Sequence, residues 1–201
     1  LLEVVFGWLT FKGTENSWKP MSELALELIL RAKMEKWTYL DLGNCGLTDL
    51  PEELFDLDQL EELVLSNSWW DSEQQKSSRN SNSANEFESI QGNWPALAKV
   101  TKLIISELQI TDLTPLTNMQ SLKELYCSFT EITDVEPLAN LHGLRKLYCY
   151  STQITDLSPL ANLYELDTLY CNSTQITELG PLANLQALKE LYCSSNQIAD
   201  L

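Results

Sequence analysis

From Leu122 onward the apolar positions recur every 22 residues, and their spacing changes within each recurrence. One such stretch reads Leu144-x-x-Leu147-x-Cys149-x-x-Thr152-x-Ile154-x-x-Leu157-x-Pro159-Leu160-x-x-Leu163. The alternation Leu147-x-Cys149 has the period of a short strand with one face in a core, so Leu147 and Cys149 point inward while Lys146, Tyr148 and Tyr150 point outward. Pro159-Leu160 opens a segment too short for a long helix, which predicts a turn or a piece of 3₁₀. The tripeptide Leu-Tyr-Cys marks the strand in four units, at 125–127, 147–149, 169–171 and 191–193. A strand and a return of fixed length, repeated, stack as coils whose strands are parallel neighbours.

The spacing resembles the leucine-rich repeat, both in pattern and in length. That resemblance implies an α/β solenoid, or horseshoe, with a parallel sheet on its concave face. Units start at Trp37, Leu60, Val100, Leu122, Leu144, Leu166 and Leu188, so residues 37–201 hold seven repeats, the last incomplete. The second unit is longer than its neighbours by 18 residues, and the excess falls in a polar, Ser- and Asn-rich stretch, about 71–91, that reads as an exposed flexible loop. Ahead of the repeats, residues 21–36 are strong helix formers with Leu24, Leu28 and Ala32 at helical spacing, Pro20 before the first turn and Glu27 four residues before Arg31. They predict an amphipathic helix that caps the open end of the core. Residues 1–20 are apolar at the start but lack the basic region and cleavage site of a signal peptide, and their status is open. At the other end a seventh unit without a polar cap predicts an edge that continues into further chain or docks on something.

Alternation places Tyr126, Tyr148, Tyr170 and Tyr192 in one exposed column on the concave face, with Tyr150 beside it. Two readings stand: a partner-binding stripe, because tyrosine offers large contact area at low entropic cost, and cross-strand stacking that stabilises the sheet with nothing bound. Arg145 and Lys146, with Lys123 and Lys189, bring scarce positive charge to the same strands. Thr130, Thr152, Thr174 and Asn196 fall where a buried polar side chain can satisfy turn amides. A second row, Asp112, Asp134, Asp156, Glu178 and Asp200, presents one carboxylate per repeat, too few converging oxygens for calcium, and reads as a solvated row of like charge; no metal is expected.

Charge narrows the partners. With 29 acidic against 13 basic residues and a formal charge of −16, the chain lacks the cations that drive nucleic-acid binding or attraction to anionic membranes. No apolar run is long enough to span a bilayer. Cys127, Cys149, Cys171 and Cys193 share the repeat period and Cys45 stands apart; no Cys-x-x-Cys pair suggests zinc. The periodic thiols should stack in the core, reduced, which points to a reducing compartment and a cytoplasmic protein. Catalysis finds no foothold: His142 is the only histidine, in a convex turn, and neither Gly-x-Ser-x-Gly nor a phosphate-binding Gly-x-x-x-x-Gly-Lys occurs. Asn172-Ser-Thr174 matches a glycosylation acceptor only because the repeat generates it.

Two families share longer motifs. The Pro-Leu-Ala-Asn-Leu segments at 137–141, 159–163 and 181–185, preceded at the latter two by Gln-Ile-Thr-Asp or Gln-Ile-Thr-Glu, resemble the repeats of bacterial internalins, which are secreted and act on host surfaces. The stretch 23–67, with Glu23-Leu-Ala-Leu-Glu-Leu-Ile-Leu-Arg-Ala32, Tyr39-Leu-Asp-Leu42 and Leu47-Thr-Asp-Leu-Pro-Glu-Glu-Leu54, looks like the beginning of bacterial Roco proteins. In those, the repeats precede a Ras-like GTPase domain (Roc) and its dimerising companion (COR). That resemblance implies a parent that binds GTP and Mg, hydrolyses GTP and forms a homodimer, with the repeats as a non-enzymatic regulatory and protein-binding domain. A recognition or adhesion module of internalin type is the alternative. None of the GTPase residues lies in this chain, and neither family supplies a binding motif to carry over onto the tyrosines.

Overall fold

The computed structural model describes residues 22–71 and 74–199, so the expectations for residues 1–20 and for Asp200 lie outside the described residues. The chain opens with helix α1, Glu23–Glu35, started by Ser22, whose side chain accepts the Ala25 N–H at 3.4 Å, and ended by Lys36 in the left-handed conformation. Its buried face is Ala25, Ile29 and Ala32, with Leu24 and Leu28 only partly buried. The expected seam of Leu24, Leu28 and Ala32 is therefore rotated by about one residue. The two small alanines let the helix backbone approach the first coil closely, and the leucines fill its flanks. The expected Glu27–Arg31 pairing gives way to Arg31–Glu35 at 3.7 Å, with the guanidinium also 5.3 Å from the Trp37 ring centroid.

Among the described residues nine short strands follow: β1 Tyr39–Asp41, β2 Glu62–Val64, β3 Ser68–Asp71, β4 Gln74–Ser77, β5 Lys102–Ile104, β6 Glu124–Tyr126, β7 Lys146–Tyr148, β8 Thr168–Tyr170 and β9 Glu190–Tyr192. Seven form one parallel sheet in the order β1-β2-β5-β6-β7-β8-β9, one strand from each of the seven repeats, while β3 and β4 pair antiparallel as a separate hairpin. The register is uniform: Leu40, Leu63, Leu103, Leu125, Leu147, Leu169 and Leu191 are successive partners along the sheet. All but Leu191 in the last strand are buried, and Cys127, Cys149 and Cys171 lie fully buried two residues further along. All five cysteines are free thiols, and burial pushes those of Cys127 and Cys171 up to about 12.

On the convex side, Thr114–Leu116, Glu136–Leu138, Ser158–Leu160 and Gly180–Leu182 are single 3₁₀ turns, each with proline second. Proline fixes φ where the turn needs it and gives up an N–H that has no intrahelical partner there. The acidic row turns out to serve these turns. Asp112, Asp134 and Asp156 each accept the backbone N–H two residues ahead, of Thr114, Glu136 and Ser158, at 2.7 Å. Hydrogen bonding to Ser158 holds the Asp156 carboxyl below its ordinary range. Three members of the row are thus turn caps rather than merely solvated charges.

The interruption of the second repeat differs most from expectation. Only part of it is exposed: Ser78, Asn85, Phe87 and Ile90 are buried. Asn85 donates to Leu42 O and Leu65 O at 2.8 Å and accepts from the N–H groups of Cys45 at 3.1 Å and Leu47 at 2.9 Å. In the later coils Thr130, Thr152 and Thr174 donate to the carbonyls of Cys127, Cys149 and Cys171 from the equivalent position, and Asn196 bridges Cys171 O and Cys193 O. Asn85 is therefore the ladder residue of the second coil, and Asn85-x-Phe87 continues what Asn67 leaves off. The true interruption is 68–84, a hairpin and return that starts before the expected boundary.

Candidate functional site: the concave face

Two outward columns run across the sheet. The register aligns Tyr39, Glu62, Lys102, Glu124, Lys146, Thr168 and Glu190 in one, and Asp41, Val64, Ile104, Tyr126, Tyr148, Tyr170 and Tyr192 in the other. The expected tyrosine column is real. Its rings stand 4.3, 4.8 and 4.2 Å apart between centroids from Tyr126 to Tyr192, with the first and last pairs near parallel. Parallel strands are spaced about 4.8 Å apart, a separation that suits offset stacking, so the backbone repeat sets the ring repeat.

The column is not uniformly exposed. Tyr126 and Tyr148 retain 1% and 3% of their surface and form a buried cluster with Val64, Ile104 and Trp69, the last carried in by β3. These two are stacked and buried, so the expectation of exposure does not hold for them. Tyr150 and Tyr170 pack half-buried against the cluster, and Tyr192 stays 49% exposed at the end of the sheet. Burial pushes the Tyr150 hydroxyl up to about 12, and it raises Tyr170 as well, with Tyr192 and Glu190 adding to the effect.

The flanking column is a chain of charge pairs. Glu124 lies between Lys102 at 3.6 Å and Lys146 at 3.1 Å, and Lys102 also sits 5.2 Å from the Tyr126 ring centroid. Burial opposes the charge on Lys146, but its hydrogen bond to and attraction by Glu124 raise its pKa on balance. Arg145, expected in the same site, precedes β7 and is held by Glu165 at 3.2 Å, so it is not brought to the tyrosines.

Phe129 was not singled out by sequence reasoning. It is 47% exposed, has φ of 55°, and meets Tyr150 edge-on at 5.2 Å and 81°. The same left-handed position in the next three coils is Ser151, Ser173 and Ser195. A bulky apolar side chain where the other coils carry Asn, Glu or Ser was a legible signal, because nothing in the fold asks for it. Among the described residues no group of three or more His, Cys, Asp or Glu side chains is placed to hold a metal ion, and no helix is long and apolar enough to cross a membrane.

A family model described as Leucine Rich repeats (2 copies) matches residues 98–140, 120–162 and 164–201, and one described as Leucine Rich Repeat matches 36–57. No curated protein sequence matches the chain. Among solved structures, internalin C2 of Listeria monocytogenes is 26% identical over 90% of this chain and 85% of its own, with a TM-score of 0.64. A second Listeria monocytogenes internalin, internalin F, is 26% identical over 81% of this chain, at a TM-score of 0.56. A repeat protein of Leptospira interrogans is 25% identical over 81%, at 0.69. The chain spans 48% and 38% of the lengths of those last two.

Proposed function

We propose, from the premise that this chain belongs to the leucine-rich repeat family, that it is a protein-recognition module which takes its partner on the C-terminal half of the concave face. The observation that carries this reading is the aromatic patch of exposed Phe129 and Tyr192 with half-buried Tyr150 and Tyr170, built on the buried stack of Tyr126 and Tyr148. Aromatic side chains fixed by their neighbours lose little entropy on binding, and such anchors dominate protein interfaces. Lys146 and its partner Glu124 border the patch and supply orientation more than affinity. Arg145, tied to Glu165, belongs to the rim of the interface.

Two settings fit this module. The first is regulatory: the repeats of a cytoplasmic Roco-type G protein, with Roc and COR, GTP, Mg and the homodimer contributed by parts of the parent beyond this chain. It is supported by the resemblance over 23–67 and by buried free thiols, which suit a reducing compartment. The second is a recognition module of internalin type, favoured by the 26% identity to internalin C2 over most of both chains. A Gly-x-x-x-x-Gly-Lys loop after a strand in the gene downstream of Leu201 separates them.

The patch itself is tested by substitution. Once a partner has been selected with the intact chain, Phe129→Ser combined with Tyr150→Ala should weaken its binding at least tenfold, while Arg145→Ala should change it less than threefold. Unaltered affinity in the double variant with an unchanged melting temperature removes the patch from the interface.

A further inference from the structure

The hairpin of β3 and β4 does more than interrupt a coil. It stands over the N-terminal part of the concave face and converts an open sheet into a cleft of about 370 Å³. Val64 and Ile104 of the sheet and Trp69 of the hairpin, all nearly buried, close the floor of the cleft, and the half-exposed Tyr39 ring on its border gives it apolar surface. Lys76, Arg79 and Lys102 line it as well, against the carboxylates of Asp41 and Glu62, with Lys102 also paired to Glu124 at 3.6 Å. In a chain with a formal charge of −16 this is an unusual concentration of cations.

The cleft is held in shape by its own hydrogen bonds. The Asp41 carboxylate accepts from Ser78 Oγ at 2.8 Å, from the Gly43 N–H at 3.0 Å and from the Arg79 N–H at 3.1 Å, so its oxygens are already engaged. Ser78 Oγ also lies 2.8 Å from Gly43 O, and Asn80 donates to Asp41 O and Gly43 O at 2.9 Å. Gly43 is required by this close approach, since a Cβ there would stand 2.1 Å from Ser66 O and 2.6 Å from Ser78 Cβ. With its backbone anchored by Asp41, the exposed Arg79 projects its guanidinium from a fixed base. A guanidinium so placed is suited to a carboxylate.

We propose that this cleft is a second recognition subsite, which takes an Asp or Glu side chain flanked by apolar residues from an extended acidic segment of a protein partner. The apolar neighbours rest on the exposed Tyr39 ring at the border of the closed floor of Val64, Ile104 and Trp69, and the carboxylate meets Arg79, with Lys102, shared with Glu124, behind it. The strongly acidic chain repels such a segment elsewhere, so charge steers it to the cleft. The inference rests on the concave face being the binding face, but it uses none of the residues of the Phe129 patch.

The test uses the full chain and an acetylated, amidated hexapeptide of alternating Glu and Leu, which reaches about 20 Å when extended. Alternating Gln-Leu and Lys-Leu peptides serve as controls, with affinity read by calorimetry and location by the shift of the Trp69 indole N–H resonance. The Glu-Leu peptide should bind, move that resonance and weaken at least tenfold with Arg79→Glu and in 0.5 M salt, while Arg79→Lys retains part of the affinity. Phe129→Ser should leave it unchanged, so loss of the aromatic patch and loss of the cleft are separable results. Equal binding of the Gln-Leu peptide, indifference to Arg79→Glu, or no binding of the acidic peptide overturns the proposal.

Discussion

Tyr126, Tyr148, Tyr170 and Tyr192 occupy the same position in four coils, yet they do different work. Tyr126 has a ring on one side at 4.3 Å, Lys102 near its face and the Val64, Ile104 and Trp69 cluster beside it. Among the described residues Tyr192 stacks on one ring only, that of Tyr170, and it is half-exposed. Truncating a fully buried aromatic removes its transfer free energy and leaves a cavity, whereas truncating an end ring loses one stacking contact. Tyr126→Ala should therefore lower stability by about 3 kcal/mol and Tyr192→Ala by about 1 kcal/mol or less in urea unfolding. Equal costs would mean that the column is uniformly solvated, as alternation alone suggests. Alternation fixes the face on which a side chain emerges, but not what covers it. The cover over Tyr126 includes Trp69, from a segment whose place in the fold depends on contacts remote in sequence.

At the scale of elements, the strands, the proline-led turns and the N-terminal helix were legible, because each is set by spacing within about 22 residues. The helix face was misread by one position because small and large apolar residues score alike in a periodicity, although only alanine permits close approach. The interruption was misread for a different reason. Its ladder residue, Asn85, bonds to Leu42, Cys45, Leu47 and Leu65, and only the similarity of Asn85-x-Phe87 to Thr130-x-Ile132 marked it. Asn85 makes four bonds where Thr152 donates one, at 2.7 Å to Cys149 O. Leaving buried amides and carbonyls unpartnered is the costly event, so Asn85→Ala should destabilise by at least about 3 kcal/mol and Thr152→Ala by about 1 kcal/mol. The two variants are compared by urea midpoints at constant slope; a similar cost for both would show that water replaces the asparagine.

For the whole molecule, the sheet runs unbroken past the hairpin, because β2 pairs with β5 in the same register that β5 keeps with β6. In a solenoid each coil contacts its neighbours, and stability accumulates from coil interiors and the interfaces between them. Residues 68–84 contribute to one such region. Their bonds from Ser78 and Asn80 tie the segment to Asp41 and Gly43, while the core residues Asn85, Phe87 and Ile90 come after it. Excising 68–84 joins Asn67 directly to Asn85, which restores the arrangement of Phe129 and Thr130 in the fourth coil. The shortened chain should fold, with its melting temperature within about 5 °C of the parent, a shift of about 1–2 kcal/mol for a chain of this size. It should lose the acidic hexapeptide and retain binding through Phe129 and Tyr150. Collapse of the fold on excision would show instead that the hairpin stabilises the solenoid, by covering Val64 and Ile104 with Trp69, and that the cleft is a by-product of that cover.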